Sequence, residues 1–147
     1  MTNSQSVPCN LKNASIVWIP PNADEGVHVI NPVSRDQWIL ANFQFGGYYR
    51  VNYDDDNWDL LARQLAVNHT VIPPVTRSQL LEDAFVLAHY EIISYDVPLK
   101  LIQYLHNEEE SAIKDNVYGH VRFVAELSSD QAERVRFQVK IYFIIKN

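Results

Sequence analysis

The spacing of hydrophobic and polar positions changes once along this chain, close to residue 54. Before that point apolar residues come in short runs. Ile16-Val17-Trp18-Ile19 is stopped by Pro20-Pro21, Val27-His28-Val29-Ile30 by Asn31-Pro32, and the run from Trp38 to Phe43 by the approach to Gly46-Gly47. Runs of this kind predict strands, because strand side chains point alternately to two faces and proline cannot continue a central ladder. A fourth strand is expected over Tyr48 to Tyr53, where Tyr49, Val51 and Tyr53 alternate with Tyr48, Arg50 and Asn52. Gly46 and Gly47 ahead of it permit a positive φ or a close approach to another segment. Residues 1–14 are polar and read as an arm before the first strand.

Beyond residue 54 the period becomes 3.6. Asp54-Asp55-Asp56-Asn57 suits a helix N-terminus, where free N–H groups and the positive dipole end favour carboxylates. Trp58, Leu61, Ala62 and Leu65 then fall on one face, with Asp59 and Arg63 expected to pair on the other, in a helix running to about Val67. Thr76 to Gln79 reads as a capping box ahead of a second helix whose buried stripe is Leu80, Ala84, Leu87 and Ala88. Asp96 is expected to cap a third, with Pro98 tolerated in its first turn and Leu101, Ile102 and Leu105 sharing a face. Glu108-Glu109-Glu110 opens a fourth, on which Val117, Val121 and Val124 align and Gly119 costs ~1 kcal/mol against alanine. The last segment, 132–145, alternates at Val135, Phe137, Val139 and Ile141 as a strand would, yet follows a cap-like Ser128 to Gln131 and is read as a helix.

Several separate motifs carry a resemblance. Trp38 to Asn42, Gly47 to Asp54, Asn57-Trp58, Gln64-Leu65 and the stretch from Ile72 to Ala88 together resemble, in order, the zinc aminopeptidases of the aminopeptidase N family, weakening after Asn107. In that family they lie at the end of a linker β-sandwich and the start of a C-terminal helical region, as in the endoplasmic reticulum aminopeptidases. The resemblance implies a region that closes over an active site and restricts peptide access. Catalysis sits elsewhere in the family, and this sequence lacks the two motifs that carry it. His28, His69, His89, His106 and His120 are the five histidines and no two are four apart, so there is no His-Glu-x-x-His. Met1 is the only methionine, so there is no Gly-Ala-Met-Glu-Asn either. No zinc or other cofactor is expected on this chain, although zinc belongs to the family.

Composition narrows the rest. At 147 residues and 47% hydrophobic, the chain can build a core and is expected to be globular. A net charge of −6 with 12 Lys and Arg leaves no basic footprint for nucleic acid, and no apolar run approaches the ~18 residues of a membrane span. Cys9 is alone and can form neither an internal disulfide nor, by itself, a zinc site. Asp54 to Asp56 lacks the glycine turn and distal glutamate of a calcium loop, and Glu108 to Glu110 reads as a solvated helix start rather than a paired-carboxylate site. Arg50 with Tyr48, Tyr49 and Tyr53 remains as a candidate site. Its preferred reading, with Gly47, is a structural junction in which Tyr49 and Tyr53 are buried between sheet and helix and Arg50 pairs with a carboxylate.

The start of the chain has neither the charge nor the apolar core of a signal peptide. Asn13-Ala14-Ser15 and Asn68-His69-Thr70 are nonetheless glycosylation sequons, and the resemblance implies a cell-surface or endoplasmic-reticulum setting for the parent. The expectation is therefore an α+β chain: a partial antiparallel β-sandwich segment over 1–53, followed over 54–147 by antiparallel helix hairpins that begin an α-solenoid. Its expected role is the non-catalytic C-terminal-side portion of an aminopeptidase N-like enzyme, partnered by that enzyme's catalytic domain. The alternative is a stand-alone helical module that binds a peptide or protein.

Overall fold

Asp54 starts the helical part by accepting the Asn57 N–H at 2.8 Å, with Asp55 and Asp56 in the first turn where the helix dipole favours them. The computed structural model describes residues 36–127 together with Ser34, Asp130, Val135, Ile141 and Tyr142. Four α-helices lie among them: α1 (Asp55–Asn68), α2 (Pro74–His89), α3 (Asp96–Leu101) and α4 (Ser111–Leu127). A 3-10 turn at His69–Val71 links α1 to α2, and a 3-10 stretch, Ile102–Asn107, continues α3. Of the segment 132–145, the described residues Val135, Ile141 and Tyr142 are helical.

The helices touch in the order α1, α3, α2, α4, which puts α2 in the middle. Its position explains its composition: Leu80, Leu81, Ala84, Phe85, Leu87 and Ala88 are all buried, so α2 is apolar on more than one face, as interior helices are. Trp58, Leu61 and Leu65 of α1 meet Leu101, Ile102 and Leu105, and Ile113, Val117 and Val121 of α4 close the other side of the core. Pro74 stands at the first position of α2, where a missing N–H costs nothing. The capping box expected at Thr76 is not formed, because the helix begins two residues earlier; the Thr76 hydroxyl accepts the Gln44 N–H at 3.0 Å instead. At the other end of α2, Glu91 is left-handed (φ 59°), and the bonds Glu91 N–H to Ala88 and Ile92 N–H to Leu87 make a Schellman stop with glutamate where glycine is usual. Asp59 pairs with Lys100 of α3 at 2.9 Å rather than with Arg63 on its own helix.

The α+β expectation, with its partial antiparallel β-sandwich, is corrected: among the described residues there is no β-strand. The strands expected over 16–19 and 27–30 lie outside the described residues. Those expected over 38–43 and 48–53 do not form, because side chains satisfy the backbone that a sheet would have paired. The Asn57 amide bonds both the N–H and the C=O of Ile39, at 2.7 and 2.9 Å, as a neighbouring strand would. Asn42 does the same within a loop, accepting the Gly47 N–H and donating to the carbonyls of Gly47 and Tyr49. Once one side-chain amide replaces a ladder partner, alternation no longer implies a sheet. Positive φ falls on Asn42, Gln44 and Phe45 rather than on the glycines. Gly47 serves by close approach, since a Cβ there would collide with the Tyr49 ring.

Tyr53 is half-buried edge-on to Trp58, ring centres 4.9 Å apart, and its hydroxyl accepts the Ala41 N–H at 3.0 Å. Tyr49, expected to be buried, is 56% exposed, and Tyr48 is fully exposed. Tyr53→Ala should therefore cost about 2 kcal/mol or more in urea unfolding, while Tyr49→Ala should change stability by less than about 1 kcal/mol. Equal losses in the two variants would show that the extended segment 47–53 is held differently.

Candidate functional site

Two charged networks and one groove meet around α2. The first network is buried. Arg77, in the first turn of α2, donates to Glu108 through Nε and Nη2, both at 2.8 Å, and through Nη1 to the carbonyl of Ile72 at 2.6 Å. The Tyr104 hydroxyl donates to the same carboxylate at 3.0 Å, as do the N–H groups of Glu109 and Glu110. The side chains of Arg77 and Glu108 are 5% and 0% exposed. Glu108 is thus not the solvated helix start expected of the Glu triplet; Glu109 and Glu110 are exposed as expected, and the first glutamate is a core residue. Burial alone would raise the Glu108 pKa, but Arg77, the Glu110 N–H and Tyr104 hold it below the usual carboxylate range. Burial beside that carboxylate pushes the Tyr104 phenol far up. These groups have all their partners within the protein, so the network is a clasp between the α1–α2 turn, α2 and the start of α4.

The second network runs from the half-exposed Arg50 to the buried Asp83 and includes the expected junction. Arg50 pairs with Asp83 at 3.1 Å and reaches Glu82 at 3.6 Å, and Asp83 also accepts the Val51 N–H. Glu82 meets His120 of α4 at 2.6 Å, and the His120 ring lies flat on Phe85, centres 5.0 Å apart. Burial works to raise the Glu82 pKa, but the hydrogen bond and charge of His120, with Arg50 adding, bring it below the ordinary value. Arg50 does pair with carboxylates, and it connects the 36–54 segment through α2 to α4. Tyr48 and Tyr49 take no part in it; burial raises the Tyr53 pKa to about 12, which suits a packing residue that stays protonated.

The groove lies between the N-terminal turns of α2 and α4, with Phe45, Val75, Gln79, Glu110, Ala112 and Ile113 among its walls, and holds about 440 Å³. Asn68 is exposed at the end of α1, and its side chain accepts the Thr70 N–H and hydroxyl at 3.1 and 2.7 Å. Asn13 lies outside the described residues. The zinc of the resembled enzymes does not fit here: among the described residues no three His, Cys, Asp or Glu side chains converge as a metal site would need. No described helix is long and apolar enough to cross a membrane.

Residues 38–144 match the family profile of the ERAP1-like C-terminal domain. The chain belongs to that family. The match begins at Trp38, the first residue of the quoted motifs, so the resemblance to aminopeptidase N enzymes is borne out. Relatives include the thyrotropin-releasing hormone-degrading ectoenzyme of Mus musculus, 38% identical over 101 residues, which are 69% of this chain and 9% of that protein. Glutamyl aminopeptidase of Mus musculus is 33% identical over 111 residues, 75% of this chain and 12% of the relative. Aminopeptidase N of Plutella xylostella is 38% identical over 96 residues, 65% and 10%. The chain thus corresponds to a small part of each relative's length, the part that an ERAP1-like C-terminal domain supplies.

Arg77 and Tyr104 were not singled out by the sequence and Glu108 read as a solvated helix start, yet a signal was present. Arg77 stands at the head of the stripe Leu80, Ala84, Leu87, where a charge is tolerated only with a buried counter-charge. Tyr104 and Glu108 are four apart and follow an apolar run. The pairing across 31 residues had no local mark.

The clasp makes a pH prediction. Because the folded-state pKa of Glu108 is depressed, its contribution is present above the unfolded carboxylate value of about 4.3 and is lost as pH falls through the lower folded value. Glu108→Gln should lower stability at neutral pH by about 3–5 kcal/mol, the cost of stranding a buried partner, and flatten the fall in Tm on acidification. A variant with unchanged acid sensitivity would show that other carboxylates govern acid unfolding.

Proposed function

We propose that this chain acts as the non-catalytic, C-terminal-side part of an aminopeptidase N-like zinc metallo-aminopeptidase, where it closes over the active site and governs which peptides reach it. The observation that carries this reading is the match of residues 38–144 to an ERAP1-like C-terminal domain. It is supported by relatives named as aminopeptidases and by a sequence without the zinc-binding and amino-group-binding motifs of that family. Its partner in this reading is a catalytic domain, against which helices held by a buried Arg77–Glu108 pair offer a fixed surface. Further hairpins stacked in the manner of an α-solenoid belong to the same proposal.

A chimera tests it. Residues 38–144 should replace the matching segment of the Plutella xylostella enzyme with turnover of single-residue amide substrates retained, while the preference among longer peptides shifts. An unchanged preference among longer peptides, in a folded and active chimera, would overturn the gating role. The chain by itself should bind no zinc stoichiometrically and cleave no alanyl or leucyl amide, since a catalytic zinc needs three convergent protein ligands and an open position. Chelator-sensitive turnover abolished by mutating one of its own histidines would refute this.

The same reading places the parent on the outer face of the cell or in the secretory pathway, as the word ectoenzyme does for one relative. Asn68 is then a glycan acceptor: it is exposed, and Thr70 already bonds its side chain. Expression behind a secretion signal should give a glycosidase-sensitive mass shift that Asn68→Gln reduces. An unchanged mass with the wild-type chain would count against this setting.

A further inference from the structure

Residues 42–51 form a loop that is closed on itself and lightly attached to the helices. Both of its ends are fixed to the core. Trp38 and Leu40 pack on it ahead of the loop and Tyr53 behind it, and the Asn52 side chain accepts the Trp58 indole N–H at 3.2 Å. The Ala41 N–H on the Tyr53 hydroxyl draws the two ends together. Inside, the buried Asn42 amide bonds Gly47 twice and Tyr49 once, so the loop is packed by a side chain of its own, as compact Ω-loops are. Among the described residues, none from 42–51 is an apolar side chain packed on the core.

What bonds this loop to the helices is polar and lies on α2, at two places. The Gln44 N–H meets the Thr76 hydroxyl at 3.0 Å. Asp83 takes the Val51 N–H and the Arg50 guanidinium, both at 3.1 Å, with Glu82 3.6 Å from Arg50. The first place carries strain: Gln44 and Phe45 are left-handed (φ 58° and 57°), a backbone that a side chain disfavours and that persists only where surrounding contacts impose it. Thr76, Gln79 and Asp83 recur at helical spacing, so they share the face of α2 beneath the loop, and all three are buried. Gln79 Oε1 has no hydrogen-bond partner there among the described residues. Covering that oxygen without a donor is a cost of the closed loop, which water entering beneath a lifted loop removes.

We propose that residues 42–51 act as a lid that lifts from α2 as one body, hinged at Ala41 and Asn52 and latched by Thr76 and Asp83. Lifting uncovers the polar stripe of Thr76, Gln79 and Asp83 while Tyr53 and Trp58 stay packed, so this face of α2 exists in a covered and an open state. Segments with few buried apolar contacts are those that open below the cost of global unfolding. Tyr48 and Tyr49, 100% and 56% exposed, have little apolar burial to lose. The lid needs neither a catalytic domain nor zinc, and it stands apart from the role proposed above.

Native-state hydrogen exchange on the full, isotope-labelled chain tests it. The Gln44 and Val51 amides, held at the two latches, should exchange through one shared opening, with a denaturant dependence well below that of Ala84 and Val121 in the helix core. Asp83→Asn weakens one latch. It should speed exchange at both amides by the same factor, about tenfold or more, as loss of a charge-assisted bond implies, although Gln44 does not touch Asp83. Arg50→Ala, at a half-exposed position that does not threaten the fold, should do the same. Two results would overturn the inference. Exchange at Gln44 and Val51 with the rate and denaturant dependence of Ala84 and Val121 would mean that the loop leaves α2 only when the protein unfolds. Acceleration at Val51 alone, or at neither amide, in the folded variants would mean separate local fluctuations rather than a lid.

Discussion

The Arg77–Glu108 pair ties the α1–α2 connection, α2 and the entry to α4 together through two charges buried in the core. Its guanidinium reaches the Ile72 carbonyl in the α1–α2 connection, while its carboxylate receives the N–H groups that lead into α4. Taking two charges out of water is costly, and the cost is met only where every remaining donor and acceptor is used. Here a bidentate contact, a tyrosine hydroxyl, two backbone N–H groups and a backbone carbonyl do so. The pair consequently acts less as a source of net stability than as a constraint on geometry: α4 has one place to start, and the groove beside it follows from that place.

Residues 36–54 show a different economy. They lie against α1 and α2 without sheet partners, held by the amides of Asn57 and Asn42, by Thr76 and by Asp83. Each is a polar side chain meeting backbone groups, so the segment is specified by donors and acceptors at particular positions rather than by burial of a face. Trp38 and Leu40 still add apolar contact to the core, and the Trp38 indole donates to Gln64. Membership in the ERAP1-like C-terminal domain family agrees with this arrangement, since the matched span opens at Trp38 and runs through the clasp into α4.

α2 is where the lines meet. One turn of it supplies Arg77 to the buried pair and Gln79 to the groove, and the next supplies Glu82 and Asp83 to the surface network. A helix buried on several sides can present polar groups only where each has an assigned partner, and Gln79 Oε1 is the exception among its described neighbours.

What the sequence determined by itself was local. The 3.6 period of Trp58, Leu61 and Leu65, the Asp54 cap and the Pro98-containing start of α3 were legible because helix formation depends on residues within about one turn. The family was legible for a similar reason, as its motifs are contiguous strings. Tertiary structure decided the rest. Alternation at Tyr49, Val51 and Tyr53 fits a strand or an extended segment equally well, and only the Asn42 and Asp83 side chains, which bond the backbone of Tyr49 and Val51, chose the second. Glu108 looked like its two exposed neighbours until Arg77, 31 residues earlier, met it in the core. Pairing of that kind depends on how helices cross, a quantity carried by no single stretch of the chain.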